Sequence, residues 1–402
     1  MMTHPSPLHK LHENLPRIRF GDDGGADVIA TFGELESEYA AIRKGCVLMD
    51  LPQRATVLVS GADRLPFLNN MLTQELKPAD QWIAPWTSTR SFWLNRRGRI
   101  DADLRCIELP AGTLRDEPCM VLDLDVLSAP SMLETLGSFI IMDDVQLEDV
   151  TMRDHRFALH GPSAAALLAD RSTPAPNTPA VRDLQLGQAT LVLIDGAPCI
   201  VDRQDSTGEI GLELLVRAHE AEQVWHALAK DARTDFGHNN DPATNTHRLR
   251  LAGWHAYNIA RIEAGWPLFH IDFASNNVPA ESGVLADRVS FTKGCYLGQE
   301  VVARMQSLGH PKQTLVALRL ESTDQTHQPE SGSPVRASND GQAPVIGGIT
   351  SSARSPMLGD AIIGFAQIKW GHHTAGTELF VQVGDACVRA TVQAQLAFWS
   401  RT

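Results

Sequence analysis

Two stretches, each built from a short apolar strand run, a glycine and a small helix, constrain this chain most. "ATVLVSGADRLPFLNNML" (55–72) begins with a β-rich run and turns at Gly61. Asp63 then offers a helix cap, and Leu65, Leu68 and Leu72 recur at helical spacing. "HRFALHGPSAAALLAD" (155–170) repeats the plan, with Gly161 at the turn, Ser163 as cap and an Ala/Leu helix behind it. A strand–glycine–helix unit buries only one face of its strand, so two copies predict two related α+β domains, each completing its own sheet.

At 402 residues the chain has room for a third unit. A polar stretch rich in turn formers, "DARTDFGHNNDPATNTH" (231–247), marks a break. A helix is expected from about Arg248 to Glu263, stopped by Gly265 and Pro267. Beyond it, "TLVALRL", "AIIGFAQI" and "ELFVQV" read as strands, and "ESTDQTHQPESGSPVRASNDGQ" (321–342) reads as a long loop between them. The expected division is 1–150 and 151–310 for the α+β units, with 311–402 an antiparallel β-barrel.

Several functions are disfavoured. A net charge of −13 does not suit a nucleic-acid binder, which neutralises phosphates with clustered Lys and Arg. The local basic run "TRSFWLNRRGR" (89–99) reads as a solvated loop. No apolar run is long enough to cross a bilayer, and "MMTHPSPLHKLHENL" lacks the apolar core of a signal peptide, so a cytoplasmic protein with no membrane partner is expected. The six cysteines, at 46, 106, 119, 199, 295 and 387, have neither the spacing of a metal site nor the density of a disulfide scaffold. Phosphate-binding glycine loops, H-E-x-x-H and G-x-S-x-G are missing from the sequence.

Four segments carry residues suited to chemistry. In "STGEIGLELLV" (206–216), Ile210, Leu212 and Leu214 alternate with Glu209, Gly211 and Glu213. A glycine within a strand is at home where something approaches the backbone, and Glu213 beside that gap can accept paired N–H and NH2 donors from a flat heterocycle. The bland alternative is an amphipathic strand with its acids in water. In "NIARIEAGWPLFHIDF" (258–273), Arg261 sits in a last helical turn, two residues from Glu263 and on a different face. In "LNRRGRIDADLRC" (94–106), Asp101 and Asp103 share one side of a strand, and either carboxylate can move a proton if burial shifts its pKa. In "FTKGCYLGQEVVARM" (291–305), Gly294 and Gly298 permit a tight loop around Cys295. A helix beginning near Gly298, together with Lys293, would favour the thiolate; a strand there would not. The same glycines serve a turn in which the cysteine merely fits.

Together these motifs resemble the folate-binding superfamily of the glycine-cleavage T-protein. "GCVLMDLPQRATVLVSGADRLPFLNNMLTQEL" is similar to its N-terminal segment. "TGEIGLEL" resembles T-G-E-x-G-x-E, whose last carboxylate, here Glu213, holds the pterin. "RIEAG" resembles R-x-E-A-G, and "GGITSSARSPMLGDAIIGFAQI" its barrel segment. "KGCYLGQE" resembles the hallmark K-G-C-[FY]-x-G-Q-E of YgfZ-type proteins, matched by Lys293, Gly294, Cys295, Tyr296, Gly298, Gln299 and Glu300. The resemblance implies α+β architecture: two interleaved ferredoxin-like domains and a barrel ringed around a central channel for tetrahydrofolate or a one-carbon derivative. It implies Glu213 on the pterin, with Trp254 or Tyr257 stacking on it, and Arg261, Lys293, Tyr296 and Gln299 as further cofactor contacts. Cys295, Asp101 and Asp103 are the reactive candidates. The implied role is assembly or repair of iron–sulfur proteins, including tRNA-modifying enzymes; the alternative is aminomethyl or methyl transfer involving a carrier protein. One departure stands out: adjacent aspartates are usual in the aminomethyltransferases, and here Ala102 precedes Asp103.

Overall fold

A computed structural model describes residues 5–232, 247–321, 328–340 and 343–399. Most of the expected break at 231–247, and parts of the expected loop at 321–342, lie outside them. The α+β class and the closed antiparallel barrel are both present.

Each strand–glycine–helix copy anchors its own sheet. The strand Arg54–Ser60 lies between Cys119–Asp125 and Gln146–Asp149 in a five-stranded sheet completed by Ile100–Leu109 and Ser88–Leu94. The strand Asp154–His160 lies in a seven-stranded sheet ordered Thr173–Pro174, Ala189–Ile194, Ala197–Arg203, Gly211–Arg217, Asp154–His160, Cys46–Asp50, Leu249–Leu251. Both turn glycines have positive φ, +102° at Gly61 and +131° at Gly161. A Cβ would lie 2.1 Å from the Asp144 carbonyl oxygen at the first and 2.4 Å from that of Gly45 at the second. Only glycine tolerates that approach. The helices Arg64–Met71 and Ala164–Asp170 follow, but neither Asp63 nor Ser163 caps its helix by its side chain. Asp63 accepts the Asp144 N–H at 2.9 Å, and Asp144 returns the bond from Ala62 at 3.0 Å, so the expected cap staples two loops instead.

The chain forms two compact units, Met1–Trp93 with Ala102–Tyr257, and Leu94–Asp101 with Asn258–Thr402. A division at 150 does not describe the first, because strand Cys46–Asp50 pairs with Asp154–His160 and draws early residues into the later sheet, whereas the strands expected beyond 311 lie in the second. Within the first unit, Leu58, Ile107 and Val121 of the five-stranded sheet share an apolar cluster with Ala189, Ile200 and Leu215 of the seven-stranded one.

The helix expected from Arg248 begins at Trp254 and ends at Glu263. Leu249–Leu251 instead pairs in parallel with Cys46–Leu48, and Gly253 passes the Ala30 backbone so closely that a Cβ would come within 2.5 Å. Gly265, at φ +74°, follows the helix as expected. The barrel closes in the order Gln313–Leu320, Ala361–Lys369, Val345–Ser355, Pro334–Arg336, Glu378–Val383, Ala386–Val392. Pro334–Arg336 falls in the expected long loop; its Val335 is fully buried in the barrel core, and that burial makes a strand of a polar stretch.

Candidate functional site

Glu213 lies on Gly211–Arg217, whose Leu212, Leu214 and Val216 enter the apolar core of the seven-stranded sheet. Gly211 is required, though by the protein's own chain: a Cβ would fall 1.9 Å from the Gln204 carbonyl oxygen and 2.9 Å from His160 Nδ1. The carboxylate of Glu213 joins a buried ionic network spanning both sheets of the first unit. Arg105 Nη2 is 2.8 Å from Glu213 Oε2 and 2.8 Å from Asp123 Oδ2, and its Nε is 2.6 Å from Asp202 Oδ2. Asp123 also receives Arg54 at 2.9 Å and Arg156 at 3.0 Å.

Three arginines thus meet three carboxylates. Burial most strongly opposes the charge on Glu213, as does Asp123, but the charge and hydrogen bond of Arg105 together with the charge of Arg54 hold the carboxyl below the usual carboxylate range. Glu213 is therefore an ionised acceptor at neutral pH. Close by, His160 is 2 % exposed, its Nδ1 has no hydrogen-bond partner, and burial pushes its pKa down to about 4, so the ring is neutral. Tyr257 tilts against that ring at 5.6 Å and its hydroxyl lies 3.3 Å from Ser206 Oγ; Trp254 is 5.8 Å from Tyr257. Tyr257, named among the stacking candidates, thus sits beside His160.

The second unit gathers the other motif residues. Gly298, at φ +80°, precedes the helix Gln299–Leu308, and a Cβ there would meet the Asn95 carbonyl oxygen at 2.9 Å and Gly98 Cα at 3.1 Å. A Cβ on Gly98 would in turn reach Val301 at 2.7 Å. Two glycines therefore seat the Leu94–Asp101 tip on the helix that follows Cys295. Asp101 accepts Asn95 Nδ2 at 2.8 Å, and partial burial raises its pKa in spite of that bond. Asp103, on the same side of that strand and likewise half-buried, belongs to the first unit.

Cys295 is exposed. Gln299 closes the loop around it, its amide donating to the Gly294 carbonyl at 3.4 Å. Lys293 Nζ sits 5.3 Å over the Tyr296 ring, and burial pushes the Tyr296 hydroxyl up to about 12. Arg261, expected among the cofactor contacts, is built into the interior. Its side chain is 0 % exposed; it pairs with Asp272 at 2.7 Å and also donates to Ser351 Oγ, Asn258 Oδ1 and the Trp266 carbonyl. No group of His, Cys, Asp or Glu able to hold a metal occurs among the described residues, and none of their helices is long and apolar enough to cross a membrane.

A family model described as the GCVT N-terminal domain matches residues 19–293, and one for the glycine cleavage T-protein C-terminal barrel domain matches 313–399. The chain belongs to the glycine-cleavage T-protein family. Aminomethyltransferases of Shouchella clausii and Caldanaerobacter subterraneus are 26% and 25% identical to it, covering 99% and 96% of this chain and 98% and 94% of their own. Glycine cleavage system aminomethyltransferase T from Bartonella henselae has the same fold, with a TM-score of 0.80 at 22% identity over 99% of both chains. Aminomethyltransferases of this family use tetrahydrofolate, the cofactor expected from the motifs. The relatives' names agree with the alternative reading, while the YgfZ-type branch rests on the Cys295 motif. Sequence reasoning missed Arg105, Asp123, Arg156 and Asp202 of this T-protein-family chain. They lie on strands that read as ordinary core, and an arginine or aspartate amid a long buried strand was the available signal.

Proposed function

We propose that the chain binds tetrahydrofolate through Glu213 and transfers a one-carbon group of the aminomethyl or methyl kind. The observation that carries this reading is the ionised, Arg105-held carboxylate at the position of the family's pterin acid. The residues fit the cofactor: Glu213 is an acceptor for a donor edge, and His160 Nδ1 and Thr207 Oγ1 are buried without hydrogen-bond partners. Each charge-assisted bond to such an edge is worth about 1.5–3 kcal/mol net. Tetrahydrofolate, when bound, supplies the nitrogen that accepts the one-carbon unit. Asp101 holds or releases a proton at Oδ2 while Asn95 Nδ2 fixes Oδ1, and its raised pKa suits a group that must do both. Ala102 removes one of the usual pair, which leaves Asp101 and Asp103 to be separated by experiment. Incubation with tetrahydrofolate and an aminomethyl- or methyl-bearing donor or carrier protein should yield 5,10-methylene- or 5-methyltetrahydrofolate, and Asp101→Asn should stop it. No product with any donor would refute transfer.

One observation favours a second reading. Cys295 is exposed on a loop closed by Gln299 and stacked Lys293–Tyr296, which suits a thiol offered to a partner. By its motif that partner is an iron–sulfur protein, with assembly or repair of the cluster as the role and tRNA-modifying enzymes among the clients. A strain lacking the gene, given the Cys295→Ala form, should then fail to recover iron–sulfur enzyme activity. Full recovery removes the thiol role.

A further inference from the structure

The geometry points to Arg105 as a positioning residue that fixes Glu213 as an acceptor and so selects ligands presenting a donor-only edge. It rests on the reading of Glu213 as the folate acid and adds a residue that the T-G-E-x-G-x-E motif does not contain. Arg105 stands directly opposite Asp123 in the five-stranded sheet, and Asp202 stands directly opposite Glu213 in the seven-stranded one. Two carboxylates facing each other across strands repel, and when buried they resolve the repulsion by one of them taking a proton. Arg105 reaches both, with Nε on Asp202 at 2.6 Å and Nη2 on Glu213 at 2.8 Å, while the same Nη2 touches Asp123. Its planar fork spans three acids in a way a point charge cannot.

The three carboxylates differ in access. The side chains of Asp123 and Asp202 are 0 % and 1 % exposed, and that of Glu213 is 14 % exposed. Of the three acids Glu213 is thus the one open to the outside, while the exposed cation of the network is Arg54, 25 % exposed and paired with Asp123. The charged and titratable groups around it are Arg54, Arg105, Asp123, Arg156, His160 and Asp202. His160 is neutral, so Arg54 and Arg156 are the other cations, and both pair with Asp123. Among the described residues, Arg105 is the cation that pairs directly with Glu213. Without it, a proton on Glu213 would turn an acceptor into a donor, facing a donor edge.

The test has two arms. In protein labelled with 13Cδ-glutamate, the resonance missing from the Glu213→Gln variant reports the carboxyl directly without ligand. Its midpoint should lie below the usual carboxylate range in the native protein, higher in Arg105→Lys and highest in Arg105→Gln. In the second arm, 5-formyltetrahydrofolate is titrated calorimetrically between pH 5 and 8. Binding to the native protein should be flat across that range; binding to Arg105→Gln should weaken toward low pH by about tenfold for each pH unit below the new midpoint. The Lys form should fall between them, a graded rescue that a purely structural role does not produce. If Arg105→Gln fails to fold, native protein and the Lys form still give the comparison. Equal midpoints and parallel binding profiles overturn the role of Arg105. Shifted midpoints with no folate binding by the native protein uphold it and refute the folate reading instead.

Discussion

Glu213 and the Cys295 loop are each marked by a motif of about eight residues, yet the protein builds them by opposite means. Around Glu213 position is set by side-chain charge: three arginines and three acids interlock across two sheets, and Asp123 alone meets three guanidinium groups. Around Cys295 position is set by backbone: Gly298 at positive φ, Gly98 against Val301, and one amide closing the turn. A charge lattice resists ligand-driven rearrangement and fixes protonation. A glycine-built loop leaves its side chain outward and free to meet a partner.

The largest effect should come from breaking the lattice. Asp123→Ala leaves three arginines short of their shared acid and should cost about 3–5 kcal/mol in guanidinium unfolding; a loss under 1 kcal/mol would deny the network its role. Gly298→Ala acts on the loop, forcing a methyl into the left-handed region and onto the Asn95 carbonyl, and should cost about 1–3 kcal/mol. Acid sensitivity separates the regions further. The Glu213 pKa is depressed, so its contribution is present above the unfolded value of about 4.3 and is lost as pH falls through the folded one. Glu213→Gln should therefore show a shallower loss of stability in acid, measured by unfolding between pH 5 and 3. The smallest energetic effect belongs to Cys295→Ser, within about 0.5 kcal/mol for an exposed side chain. In the native protein the exposed Cys295 thiol should nevertheless react first with a disulfide reagent. Burial pushes Cys119 up to about 11 and Cys199 up to about 12, which keeps both slow.

Much of the frame was legible from periodicity and glycine placement. Gly61 and Gly161 lie where the backbone turns, the barrel strands read directly, and Gly298 does start a helix. Other features were hidden because they depend on distant partners. Asp63 has the right residue type for a cap but finds Asp144, and Arg261 has the right motif but finds Asp272. Gly211 marked a close approach correctly, while its visitor is the Gln204 carbonyl of the same chain. Arg105 carried only the sign of a charge amid a buried strand, and its partners lie in a register between two sheets that no local pattern reveals.

The most direct test of the account is calorimetric titration of tetrahydrofolate into the native protein and the Glu213→Gln form. Replacing the charged acceptor by a neutral amide should weaken binding by roughly tenfold or more, the cost of about 1.5–3 kcal/mol for one charge-assisted bond. Equal affinity for both forms would contradict it.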